Sequence, residues 1–113
     1  MSETTIKGHV LDQDRFIINP GKQLDNDNAH EMVQVVSKAQ AEGYKYIIID
    51  MTNLEFLSSS GVGSILGSVE VSREAGGDII LCNVSEAVRN ILNVLDLLDY
   101  LTVAADAESA VTC

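Results

Sequence analysis

The chain has 113 residues, 46% of them hydrophobic, and a formal net charge of −10, which suits one domain with a real core. Its 7 Lys and Arg are scattered. They form no basic patch for nucleic acid or for an anionic lipid surface, so neither is an expected partner. No apolar run approaches the ~20 residues of a membrane span, and Met1–Thr5 shows no basic-plus-apolar leader, so the expected location is the cytoplasm.

In chain order, Ile6–Leu11 and Arg15–Asn19 read as two short strands joined by the turn-prone Asp12-Gln13-Asp14. Asn19-Pro20-Gly21 then breaks the chain. A helix is expected from about Asp27 to Glu42. Ala29, Met32, Val33, Val36 and Ala39 form its apolar stripe, Asp25–Asn28 supply its caps and Gly43 its stop. Tyr46–Asp50 is a strand. A second helix runs from about Ser59 to Ala75 with Val62, Ile65, Leu66 and Val69 on one face, and Gly76-Gly77 end it. Asp78–Cys82 is the next strand.

A third helix spans about Glu86–Leu95, capped by Ser85, with Val88, Ile91, Leu92 and Leu95 inward. Asp96–Tyr100 reads as a further turn of helix, Leu101–Val103 as a brief strand, and Asp106 onward as a last helix. Strands alternating with helices imply an α/β fold: one domain with a mixed, mostly parallel central sheet of four to five strands and about four helices. The runs at 46–50 and 79–82 are apolar on both faces, as central strands covered by helices require.

Ser58-Ser59-Ser60-Gly61-Val62-Gly63 follows the strand of Tyr46–Asp50 and stacks three hydroxyls at a helix start. Unpaired N–H groups and partial positive charge at that end favour a serine cap, and equally tolerate a phosphate. Gly63 and Gly67 make one helix flank smooth, fit for close approach of the sheet or of a partner. In a parallel sheet, the loop holding Asp25 and the loop holding Ser58–Ser60 both leave C-terminal strand ends, where α/β folds place their sites.

Catalytic machinery is hard to assemble. Ser60-Gly61-Val62-Gly63-Ser64 is not a nucleophile elbow, and Leu66 breaks the dinucleotide fingerprint. No base–nucleophile pair stands out. Cys82 reads as a core residue and Cys113 is terminal, while His9 and His30 lack partners at metal-ligand spacing. No enzyme activity, cofactor or metal is expected.

These residues together resemble the STAS domains, and within them the bacterial anti-anti-sigma factors (anti-sigma factor antagonists). The resemblance covers about residues 6–112 and makes the whole chain a single STAS domain. It rests on Gly21…Leu24-Asp25 before the first helix and on the apolar strand ending in Asp50. It rests further on Phe56-x-Ser58-Ser59-Ser60-Gly61-Val62-Gly63-x-x-Leu66, on Gly76-Gly77, and on Cys82-x-Val84-Ser85-x-x-Val88. The family motif reads Asp-Ser-Ser/Thr-Gly. Aligned on Gly61, its first serine is Ser59, its second hydroxyl is Ser60, and its Asp is replaced by Ser58.

The resemblance implies phosphorylation on Ser59, with Ser60 as the alternative acceptor. The kinase would be an anti-sigma factor of the ATP-binding type, with a phosphoserine phosphatase reversing the reaction. It also implies a partner-binding face of Asp25, Ser58, Ser59, Ser60, Gly61 and Gly63, and control of sigma-factor-dependent transcription. A second reading is a non-phosphorylated STAS scaffold in a stress-signalling or lipid-transporter complex, which the Ser58 departure favours.

Overall fold

Helix and strand periods give way to each other along the chain as the sequence leads one to expect. The computed structural model describes residues 6–104; the helix expected from Asp106 onward, and Cys113, lie outside the described residues. Strands β1 (Lys7–Val10) and β2 (Arg15–Asn19) form an antiparallel hairpin. Asp12 closes it by accepting from the Asp14 and Arg15 N–H groups through Oδ1, at 2.9 and 2.8 Å. Strands β4 (Tyr46–Asp50), β6 (Asp78–Cys82) and β7 (Thr102–Ala104) extend the sheet in parallel, in the order β1-β2-β4-β6-β7.

Two further strands have only two residues each: β3 (Gln23–Leu24) and β5 (Phe56–Leu57) pair in parallel as a separate small sheet. They were not expected from the sequence, because two residues carry no readable period.

The helices are α1 (Ala29–Ala41), α2 (Ser59–Glu74) and α3 (Glu86–Val94). Their buried residues Met32, Val36, Val62, Ile65, Val69, Val88 and Leu92 share one core with Ile18, Ile47, Ile49, Ile79 and Leu81 of the sheet. The alternate strand residues Ile17, Ile48, Ile80 and Cys82 are buried on the opposite face, so the central strands are apolar on both sides as expected.

Several details differ from expectation. Helix α1 starts at Ala29, not Asp27, since Asp25–Asn28 form a turn of their own. Val33 and Leu95, expected in buried stripes, are exposed. Among the described residues there are three helices, for Asp96–Tyr100 forms turns rather than a helix. Asp96 adopts φ 57, and the Leu97 N–H reaches back to the Leu92 carbonyl at 2.9 Å, which ends α3.

One face of α2 is polar yet buried. Ser64, Ser68 and Ser72 recur at four-residue steps and are buried. Gln40 of α1 donates through Nε2 to the Ser68 carbonyl at 3.0 Å and to Ser72 Oγ at 2.9 Å. Small side chains let the two helices approach; the Ser64 and Ser68 hydroxyls donate to the Gly61 and Ser64 carbonyls of their own helix at 2.7 and 2.8 Å, and Gln40 satisfies the Ser68 carbonyl and the Ser72 hydroxyl.

Candidate functional site

The start of α2 is built from its own backbone. Ser58 is extended (φ −86, ψ 172), and its Oγ accepts from the Gly61 N–H at 3.2 Å. Of the three stacked serines Ser58 is therefore the cap, and Ser59 is the first residue of the helix. An aspartate would accept the same hydrogen bond, so the departure from the family motif keeps the capping function.

Ser59 and Ser60 are exposed, and the first turn of α2 carries no acidic residue. Ser60 Oγ hydrogen-bonds to Asn26 Oδ1 across the neighbouring loop. Among the described residues the Ser59 hydroxyl makes no side-chain hydrogen bond. It stands at the positive end of the helix with its oxygen uncommitted.

Gly61 is buried, and a Cβ there would come within 2.5 Å of the Leu24 carbonyl oxygen and 2.8 Å of Leu57 Cδ1. The helix thus starts against the backbone of β3, and Gly61 serves that contact rather than an outer surface. Gly63 and Gly67 are exposed, with nothing within 4 Å of a Cβ placed at either. Their smooth flank faces away from the sheet and is open to a partner.

Pairing of β3 with β5 brings the two loops together. Leu24 lies opposite Leu57 in register, and the Ser58 N–H donates to the Leu24 carbonyl at 3.0 Å. Asp25 and Ser58 are the next residues along these paired strands. Asp25 does not cap α1. Its Oδ1 accepts from the Asp27 N–H at 2.9 Å, while Asn28 Oδ1 accepts from the Asp25 N–H at 2.9 Å and Asn28 Nδ2 donates to the Gln23 carbonyl at 2.7 Å. These local bonds fix the Asp25–Asn28 turn beside the serines. Asn26, which makes the direct bridge, escaped the sequence reading, since nothing local distinguishes it from its polar neighbours.

A second polar group lies at the C-terminal ends of the central strands. Burial pushes the Asp50 carboxyl up, but hydrogen bonds outweigh it and hold it below the usual 3.8. They come from the Thr52 hydroxyl, from Asn83 Nδ2 at 3.0 Å and from the Thr52 N–H at 3.0 Å, all to Oδ1. Asn83 sits at φ 54, so Asp50 ties the start of the loop after β4 to a left-handed residue after β6. Among the described residues no group of His, Cys, Asp and Glu is arranged to hold a metal ion, and no helix is long and apolar enough to cross a membrane.

A model of the STAS domain matches residues 3–110. The chain belongs to the STAS domain family. An anti-sigma F factor antagonist of Paenibacillus polymyxa is 28% identical over 101 residues, covering 86% of this chain and 84% of the relative. The solved structure of the anti-sigma factor antagonist SpoIIAA in its unphosphorylated form is 26% identical, with a TM-score of 0.79 over 92% of this chain and 91% of that one. The phosphorylated form of the Bacillus cell fate determinant SpoIIAA shares the fold, at 24% identity and a TM-score of 0.75 over 96% of this chain and 97% of that one. The STAS fold of this chain, with its mixed five-stranded sheet, is the one the sequence implied, and the two-stranded sheet is an addition to it. Its third helix is followed by turns and β7 within the described residues.

Proposed function

We propose that this STAS domain is an anti-sigma factor antagonist switched by phosphorylation of Ser59. Unphosphorylated, it binds an anti-sigma factor serine kinase of the ATP-binding type and so frees a sigma factor. The kinase transfers the γ-phosphoryl group of ATP to Ser59 Oγ: the new O–P bond replaces the bond to ADP, which is the leaving group, and the hydroxyl proton passes to a base on the kinase. The phosphoserine then faces the phosphates of the ADP still held by the kinase, and the complex separates. A phosphoserine phosphatase restores the binding form. Ser60 is the alternative acceptor, and Asp25, Ser58, Gly61 and Gly63 build or border the same face.

The observation that carries this reading is the uncommitted, exposed Ser59 hydroxyl at the first position of α2, directly after a cap supplied by a different residue. A phosphate there adds about −1.5 to −2 charges where a helix start tolerates them. The fold survives while the face gains negative charge and bulk. The names of the family relatives support the same role, and the Ser60–Asn26 bond leaves Ser59 as the freer nucleophile.

Incubation with ATP and the anti-sigma factor kinase, followed by peptide mapping, tests the acceptor. The phosphoryl group is expected on Ser59; modification confined to Ser58 or Ser64 overturns the assignment. Calorimetric titration tests the switch. Ser59→Ala is expected to bind the kinase like wild type, and Ser59→Asp to bind at least tenfold more weakly with an unchanged melting midpoint. If Ser59→Asp binds as tightly as wild type, the non-phosphorylated scaffold takes its place.

A further inference from the structure

The chain has 2 Phe, and they are treated differently. Phe16 packs against the core and against the Tyr44 ring, with centroids 5.4 Å apart. Phe56 is 51% exposed, yet it is not on a loose loop. It belongs to β5, which is fixed in register against β3, and its N–H donates to the Lys22 carbonyl at 3.3 Å. Leu57 is 4% exposed and turned inward, so strand alternation turns Phe56 outward, beside its exposed register partner Gln23. The next residue outward on the same strand path is Ser58. The exposed charges nearest in sequence on these two segments are Glu55 and Asp27, with the half-buried Asp25, against the single Lys22. The whole chain carries −10.

We infer that Phe56 is the apolar anchor of the docking face beside Ser59, filling a socket on the partner protein whose rim carries Lys and Arg. The identity of that partner rests on the reading given under Proposed function. An aromatic ring on a hydrogen-bonded strand loses little freedom when it is buried by a partner. Interface energy concentrates in such rings once water is excluded around them, and the charged residues belong to the rim. Glu55, Asp25 and Asp27 complement a basic rim, which favours encounter and fixes orientation. The anchor and the switch thereby have separate tasks. Phe56 supplies affinity, and Ser59, three residues on, decides whether the socket can close.

Calorimetric titration of the purified anti-sigma factor kinase against wild type, Phe56→Ala, Phe56→Leu and Glu55→Lys tests this, with melting curves of each. Phe56→Ala is expected to bind at least tenfold more weakly with a melting midpoint near wild type. Phe56→Leu, which keeps an apolar side chain and guards against a folding artefact, is expected to lie between them. Glu55→Lys is expected to weaken binding severalfold, with the deficit shrinking as salt is raised. Phe56→Ala binding within twofold of wild type overturns the anchor. If Ser59→Asp still releases the kinase in that case, the proposed function stands without it. If wild type does not bind the kinase at all, both fall together.

Discussion

The two ends of α2 are held in opposite ways. At its N-terminal end the contacts run mostly to backbone: Ser58 Oγ accepting from the Gly61 N–H, the Leu24 carbonyl against Gly61, and the pairing of β3 with β5, with the Ser60–Asn26 bond beside them. The hydroxyls of Ser59 and Ser60 are left outside. At its C-terminal end Arg73 clamps several segments at once. Its Nε donates to Asp78 Oδ1 at 3.0 Å, its guanidinium donates to the Tyr100 carbonyl at 2.7 Å, and its Cζ lies 4.6 Å from the centre of the Tyr100 ring. Thr102 of β7 donates to the other oxygen of Asp78. A side-chain network there fastens the edge strand, whereas the frame at the other end leaves the Ser59 hydroxyl free to be changed. The contrast explains how one helix can serve both as a structural strut and as the seat of a switch.

Substitutions at each end should separate stability from binding, and the largest effect belongs to the structural end. A Cβ on Gly77 would stand 1.8 Å from the Lys45 carbonyl oxygen, the acceptor of the Asp78 N–H. Gly77→Ala is expected to cost about 3 kcal/mol in denaturant unfolding, since overpacked backbone must move. The fraction still folded should bind the partner normally. Arg73→Ala removes a half-buried ion pair and a cation–ring contact, and should cost about 1 to 2 kcal/mol. Hydrogen exchange is expected to rise in β7 and not in residues 56–62; a rise confined to the helix start would contradict the clamp.

At the other end, Ser58→Ala removes the cap and should cost about 1 kcal/mol, with weaker kinase binding because the helix start frays. Ser58→Asp is expected to restore the midpoint, and failure to do so would mean that the hydroxyl does more than cap. Ser59→Ala should change stability by less than about 0.5 kcal/mol, because the cap lies one residue earlier. A cost as large as that of Ser58→Ala would return Ser59 to the capping role.

The smallest effect is seen only in acid. Asp50 is held below 3.8 in the folded state. Its contribution to stability is therefore full above its unfolded value and is lost as pH falls below 3.8 through the folded one. Asp50→Asn is expected to flatten that part of the pH–stability curve and leave the part above pH 5 with the same slope.

Much of this was legible in the sequence for a physical reason. Three consecutive isoleucines bounded by polar residues at 46–50 require a strand buried on both faces, and the period of α1 and α3 follows from residues within a turn of each other. Ser85 as the cap of α3, accepting from the Val88 N–H at 3.2 Å, is decided within four residues. The hydroxyl cluster at 58–60 also announces a helix start, though which serine caps it depends on a single backbone torsion. The exposure of Leu95 was not legible, because an apolar residue at the frayed end of a stripe reads the same whether or not the core extends that far.

By itself, then, the sequence determined the alternation of strands and helices, the glycine stops of α1 and α2, and the serine-rich start of α2, because each rests on contacts between near neighbours in the chain. Only the tertiary structure decided the pairing of β3 with β5, the meeting of Asn26 with Ser60 34 residues apart, the need for Gly61 against Leu24, and the outward turn of Phe56. Strands of two residues have no period to read, and their partners are chosen by how distant segments pack around a shared core. The face that would meet a partner is assembled from those choices.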